Sequence, residues 1–352
     1  KRLTTVSTTI LGIETSCDDT AVSIVQDGNL IKSNIIASQS DLHAQHGGIV
    51  PELASRQHIR DIMPVIEIAL KESDLGLDEL DIIASTYGPG LAGSLITGLN
   101  VGKTLAMSLG KPFYGVNHLE GHVYAAWLDK EIGPDQELGF PILSLIASGG
   151  HTDLVLMTKH GEYLLIGNTL DDAAGECFDK AARILGLGFP GGPEIQKISG
   201  DHISELILPR AWLRDTFNFS FSGLKTAVLK MAIDKLVYPF DQDSLTELER
   251  GILVKEIASA FQESVVDILS QKVRDAAKAY SAKGIILGGG VAANLPLRQR
   301  VTDIATVPVY IPEPKLCTDN GAMIAACAYF QQQREEPWSL TTDIFPGLKI
   351  HK

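Results

Sequence analysis

The residues ILGIETSCDDTAVSIV (10–25) align without a gap over ILSLIASGGHTDLVLM (142–157), an offset of 132 residues. Each copy reads as a buried apolar strand, a small polar turn and a second strand, with Ser16 over Ser148 and Thr20 over Thr152. An isolated two-stranded hairpin is marginal in water, so each copy needs further strands or helices packed on it. The offset is about the length of one domain. The repeat therefore predicts two similar lobes, each opening with a strand–turn–strand unit and continuing into helix.

The rest of the chain fits that plan. Apolar strand-like runs alternate with amphipathic segments, which predicts α/β layering. Apolar positions recur at helical spacing over 51–72 and over 252–279, the longest helix expected. The polar, Gly/Pro-containing stretch 130–140 marks the boundary between lobes. The expected division is 8–133, then 134–317, with 318–352 forming a C-terminal helix that returns to the first lobe. The 352 residues are 45% hydrophobic and 21% charged, the balance of a water-soluble chain with a large core. No apolar run approaches the roughly 18 residues that span a bilayer, so no membrane is expected. The four cysteines (Cys17, Cys177, Cys317, Cys327) include no C-x-x-C pair and read as reduced thiols. The first residues, KRLTTVSTT, are basic, rich in Ser/Thr and free of acid. They fit a transit-peptide remnant or simply an arbitrary starting point.

Three Gly-rich turns follow strand-like runs: ASGGHT (147–152), FPGGPEIQ (189–196) and LGGGVAAN (287–294). Small residues at such turns let backbone N–H groups approach a phosphate. None matches G-x-x-x-x-G-K-[ST] or G-x-G-x-x-G, which excludes a P-loop and disfavours a dinucleotide fold. In LDDAAGECFDKAARILGLG (170–188) the acids suit the first turns of a helix, and Asp179 is a candidate for a ribose hydroxyl pair.

The stretch NHLEGH (117–122) places His118 and His122 at i and i+4, on one helix face, where they can share a metal ion. A zinc protease has its glutamate directly after the first histidine, in H-E-x-x-H. Here Glu120 follows at i+2, roughly 200° round the helix, and points away from the metal. A third ligand is available in Asp319, which also reads as a helix-start residue. Two imidazoles and one carboxylate leave coordination positions open, the pattern of a catalytic metal.

The ordered set GIETSCDDT, HAQHGGIVPELASRQH, TYGPGLAGSL, NHLEGH, SGGHT, DDAAGECFDK, GFPGGP, FSFSGLKT, GGGVAAN and CTDNGAMIA resembles the TsaD family of tRNA threonylcarbamoyltransferases, formerly described as O-sialoglycoprotein endopeptidases. The match runs from about residue 10 to 330 and is similar to the bacterial and mitochondrial branch. The resemblance implies the two-lobed actin/Hsp70/sugar-kinase (ASKHA) fold around a nucleotide cleft. It implies transfer of threonylcarbamoyl from threonylcarbamoyl-AMP to N6 of the adenosine next to the anticodon in ANN-decoding tRNAs. By motif position it implies a divalent metal such as Zn or Fe on His118, His122 and Asp319. Ile146, Ala147, Ser148, Gly149 and Gly150 would contact the adenylate, with Asp179, Gly192 and Asn294. Gln196 stands where archaeal-type relatives carry glutamate. Asp18 is the acid expected to orient or deprotonate the attacking amine. The implied partners are tRNA, a separate threonylcarbamoyl-AMP synthase and a second copy of the chain. The implied compartment is the mitochondrial matrix or, alternatively, the bacterial cytoplasm. An ASKHA-type small-molecule kinase, a metal-dependent peptidase and a chaperone-like nucleotide module are the competing readings. The net charge of −13 repels polyanions, so tRNA binding would need a local basic face, for which Arg56, Arg60, Lys225, Lys230, Arg298 and Arg300 are candidates.

Overall fold

The structure is a computed structural model in which residues 7–239 and 245–350 are described. It contains two five-stranded mixed sheets of the same topology, and the sequence repeat forms the centre of each. In the first, β1 (Thr9–Glu14) and β2 (Asp19–Gln26) pair antiparallel, with Ile10 opposite Val25. β3 (Leu30–Ser38) continues the meander. The short α1 (Ser40–Ala44) and the long α2 (Pro51–Ser73) lead to β4 (Ile82–Gly88), which joins β1 in parallel. α3 (Ala92–Leu109) and β5 (Phe113–Asn117) complete the order β3-β2-β1-β4-β5. α4 (His118–Tyr124) leaves the end of β5 directly, and α5 (Pro134–Leu138) follows.

The second sheet repeats this plan with β6 (Ile142–Ala147), β7 (Thr152–Lys159) and β8 (Glu162–Asn168). Ile142 lies opposite Met157, the same register as Ile10 and Val25 shifted by the repeat. α6 (Ala174–Ile184), α7 (Gly191–Ser199), α8 (Ser222–Asp234) and the 33-residue α9 (Glu247–Ala279) follow. β9 (Gly284–Gly288) then pairs with β6 in parallel, as β4 does with β1. α10 (Leu295–Ile304) and β10 (Val309–Tyr310) complete the order β8-β7-β6-β9-β10. The chain ends with α11 (Pro314–Cys317), α12 (Gly321–Gln332) and an extended tail.

β1 is buried on both faces, which explains its near-continuous apolar sequence. Leu11 and Ile13 pack with Ile62, Ile66 and Leu99 of α2 and α3, while Gly12 lies against Gly321 and Ala325 of α12. The helix expected over 51–72 spans Pro51–Ser73, opened by its proline at the first helical position. The helix expected over 252–279 starts earlier, at Glu247, because Thr246 and Glu249 form a capping box. All four cysteines are free thiols, as the spacing implies.

The chain divides into two compact units, each with its own sheet. Unit 1 holds the described residues of Lys1–Gly139, Thr158–Tyr163 and Pro312–Lys352; unit 2 holds Phe140–Met157 and Leu164–Ile311. The expected boundaries at 134 and 318 therefore move to 140 and 312. α5 stays with unit 1 because Asp135 accepts from Trp127 Nε1 at 2.7 Å and contacts His160 Nε2 at 3.2 Å. α11 stays there too: it precedes α12, which packs on β1 and β2. No helix among the described residues is long and apolar enough to cross a membrane.

Candidate metal centre and active site

α4 begins where β5 ends, with Asn117 as its cap: Asn117 Oδ1 accepts from Leu119 N at 2.9 Å. One helical turn then sets His118 and His122 together, ring centroids 4.6 Å apart, and both are buried. α12 packs against α4. Gly121 of the NHLEGH motif permits that approach, since a Cβ there would sit 3.0 Å from Ile324 and 3.2 Å from Met323. The packing delivers Asp319, whose Oδ1 lies 3.3 Å from His122 Nε2 and 3.6 Å from His118 Nε2. The ligand atoms of the three side chains fall within 4.8 Å of one another. The helix-start role expected of Asp319 belongs instead to Asn320, which accepts from Met323 N at 3.0 Å.

These residues fit a divalent metal ion on structural grounds. Both ring nitrogens of His122 are buried; among the described residues Nδ1 has no hydrogen-bond partner, and Nε2 faces the Asp319 carboxylate at 3.3 Å. A buried imidazole nitrogen without a partner is costly unless something else binds it. His118 is held from behind: Glu14 Oε2 lies 3.0 Å from its Nδ1 and Ser16 Oγ lies 3.1 Å from the same atom. A carboxylate on Nδ1–H leaves Nε2 to bind a metal, the arrangement that fixes ligand histidines in metalloproteins. Burial pushes His118 down, but the Asp319 and Glu14 carboxylates outweigh it and raise the imidazole to about 9. Burial drives His122 below its ordinary value, with the charge on His118 adding to that effect and Asp319 opposing it. Burial raises Glu14, yet the charge and hydrogen bond of His118 bring it below the ordinary carboxylate range.

Glu14 is the site residue that the sequence reading missed. It is fully buried at the end of β1, and it also accepts from Ser16 N and Thr86 Oγ1, each at 2.5 Å. A lone carboxylate closing an apolar strand was the available signal, because a buried charge must be paired. Glu120 faces elsewhere: beyond burial, its charge is felt by Tyr87, Tyr124, Tyr163 and Cys327. Glu120 is therefore not placed as a protease-type base beside the histidines.

Asp18 sits in the β1–β2 turn of unit 1. Burial raises its pKa, and the charge on Asp319 raises it further. The remaining candidates lie in unit 2. Ile146 and Ala147 end β6 and are buried, while Gly149 and Gly150 are exposed in the turn that follows. A Cβ on either glycine would meet nothing within 4 Å, so the backbone there is open to a ligand. Ser148 O accepts from Gly175 N at 3.1 Å, joining this turn to the start of α6. Gly289 has φ +87° and no room for a Cβ beside Ala147 O, which brings the LGGGVAAN turn against β6. Asp179 accepts from Gly191 N at 2.7 Å, so it organises the start of α7, and Gly192 beside it is sterically open. Gln196 Oε1 accepts from Leu295 N at 2.7 Å. Asn294 caps α10 through Leu297 N at 3.0 Å and donates to Gln262 at 2.9 Å. A cavity of about 870 Å³ adjoins Gln196 and Leu295, with Lys197 and Arg298 among its lining.

Six cations are candidates for a basic face: Arg56 and Arg60 in unit 1, and Lys225, Lys230, Arg298 and Arg300 in unit 2. Of these, Arg56, Lys225 and Arg300 pair with Glu52, Asp172 and Glu263.

The chain superposes on the Acidaminococcus fermentans (R)-2-hydroxyglutaryl-CoA dehydratase component A with a TM-score of 0.52 at 13% identity, covering 94% of this chain and 100% of that one. HypF from T. kodakarensis matches with a TM-score of 0.57 at 11% identity over 93% of this chain and 48% of that chain. These likenesses and the duplicated sheets establish the actin/Hsp70/sugar-kinase-like α/β fold. The family model described as TsaD, tRNA N6-adenosine threonylcarbamoyltransferase, matches residues 31–326, and the chain belongs to that family of transferases. Bacterial relatives bearing that name include one from Thermomicrobium roseum, 51% identical over 97% of this chain and 96% of that protein. Another, from Dehalococcoides mccartyi, is 51% identical over 97% and 99%, and a third, from Bacillus cereus, is 46% identical over 98% and 97%.

Proposed function

We propose that this transferase moves the threonylcarbamoyl group of threonylcarbamoyl-AMP to N6 of the adenosine next to the anticodon in ANN-decoding tRNAs. The observation that carries the reading, beyond family membership, is the His118–His122–Asp319 cluster, in which both imidazoles are buried and face one carboxylate. The acyl donor is a mixed anhydride with AMP as leaving group. The exocyclic N6 amine attacks the carbamoyl carbon, the C–O bond to phosphate breaks, and one N6 proton must be removed. An aromatic amine is a poor nucleophile, so positioning and charge stabilisation supply most of the acceleration.

A divalent ion such as Zn or Fe, held by His118, His122 and Asp319, would supply Lewis-acid and template chemistry. The open backbone N–H groups of Gly149 and Gly150, beside Ser148, bind the adenylate phosphate. Ile146 and Ala147 flank that turn, and Asp179, Gly192, Gln196 and Asn294 complete the nucleoside contacts. Asp18 orients the amine and accepts its proton; burial raises its pKa above the ordinary carboxylate value, the direction that favours a general base. Asp18→Asn is expected to abolish transfer with adenylate affinity unchanged, read by single-turnover transfer and equilibrium binding. Near-normal turnover would remove Asp18 from the mechanism.

The adenylate comes from a separate synthase. The bacterial relatives favour the bacterial cytoplasm over the mitochondrial matrix. A homodimer is supported by Ile59 and Met63, exposed apolar residues one turn apart on α2. Met63→Glu is expected to convert a dimer to a monomer in light scattering, and an unchanged mass would exclude this face. The function is tested by reconstituting the chain with an adenylate-forming partner and tRNA, and assaying modified adenosine.

A further inference from the structure

The tail after α12 makes an unusual set of contacts for a surface segment. Trp338 N donates to Phe113 O at 2.8 Å, Lys103 Nζ to Thr342 O at 2.9 Å and Phe345 N to Tyr87 O at 2.8 Å. Tyr87 meets Trp338 and Phe345 edge-on, at centroid distances of 4.8 and 5.9 Å. The tail thus runs from the start of β5, at Phe113, to the end of β4, at Tyr87. Two glycines make room for it. A Cβ on Gly115 would lie 2.6 Å from the Trp338 ring, and one on Gly88 would collide with Phe345 O.

Two further bonds reach the metal cluster's supports. Asn117 Nδ2 donates to Lys349 O at 3.0 Å while its Oδ1 caps α4, so the tail fixes the amide from which the ligand helix starts. Gly90 N donates to Pro346 O at 3.1 Å, and the adjoining Leu91 N donates to Ser16 O at 2.8 Å. Ser16 Oγ is one of the two groups behind His118 Nδ1. Ile350, at the end of the described segment, is buried.

We propose that residues 337–350 form a clamp that positions α4 and the Ser16 turn, and so holds the two histidines in ligating geometry. This rests on the reading of His118, His122 and Asp319 as metal ligands. The clamp residues act through Asn117 and, by way of Gly90 and Leu91, through Ser16. Groups that hydrogen-bond a ligand histidine typically change metal affinity 10–100-fold, and the clamp holds one of these, Ser16, in place.

The test compares the full chain, a chain stopped after Glu336, and Asn117→Ser, which keeps a capping oxygen but cannot reach Lys349 O. Zn²⁺ affinity is measured by chelator competition, and hydrogen–deuterium exchange is followed at 117–124 in metal-free protein. The clamp predicts 10–100-fold weaker Zn²⁺ binding and faster exchange at 117–124 in the shortened chain, with smaller shifts in the same direction for Asn117→Ser. Affinities within twofold and unchanged exchange would overturn it. So would a shortened chain that fails to fold while Asn117→Ser leaves both readouts unmoved. If the full chain itself binds no Zn²⁺, the ligand assignment fails, and the exchange rates alone decide the clamp.

Discussion

Replacing His118 and His122 together by alanine is expected to lower bound divalent metal from one ion per chain to near zero. It is also expected to reduce transfer at least about 10³-fold, since Lewis-acid and template effects contribute several kcal/mol to such reactions. The same variant should fold, with a metal-free form less stable than wild type, because removing His118 leaves the buried Glu14 carboxylate without its imidazole partner. Metal analysis and single-turnover assays separate the outcomes. Loss of metal with normal transfer would make the ion structural. Retained metal would place the ligands elsewhere.

Glu14→Gln is expected to produce the second largest effect. Glu14 receives donors on both oxygens, from Ser16 N, Thr86 Oγ1 and His118 Nδ1. A glutamine has one acceptor oxygen, so its NH₂ must face a donor in a buried site. Breaking a buried pair in this way costs about 3–5 kcal/mol, and disturbing the carboxylate behind a ligand histidine costs about 10–100-fold in metal affinity. The metal-free protein carries a pH signature of the pair. Glu14 titrates below its ordinary 4.5, so its contribution is present above that pH and lost as pH falls. His118 titrates at about 9 against an ordinary 6.5, so its contribution is complete below pH 6.5 and lost as pH rises through 9. Denaturant unfolding of metal-free wild type should show stability declining from pH 6.5 to 9.5, and the decline should shrink in Glu14→Gln. Identical pH profiles would contradict the pairing.

Much of this was legible in the sequence because it is periodic or local. The 132-residue repeat reproduces the hairpin register residue for residue, since alternation along a strand permits no one-residue slip. The i, i+4 spacing of His118 and His122 and the displacement of Glu120 follow from helix geometry alone. What escaped is non-local. Glu14 looks like the end of a strand until β1, β4 and α4 converge on it. Asp319 and Asn320 are adjacent polar residues, and only the path of α12 shows that one caps and the other turns to the histidines. The tail reads as a polar surface segment, and the glycines that receive it lie more than two hundred residues earlier.

The most direct test of the account supplies purified chain with a threonylcarbamoyl-AMP-forming synthase, ATP, threonine, bicarbonate and ANN-decoding tRNA, and measures N6-modified adenosine by nucleoside mass spectrometry. The account predicts modified adenosine that requires the chain and disappears with the double histidine variant. Synthase-made adenylate that persists unconsumed in the presence of metal-loaded wild type would contradict it.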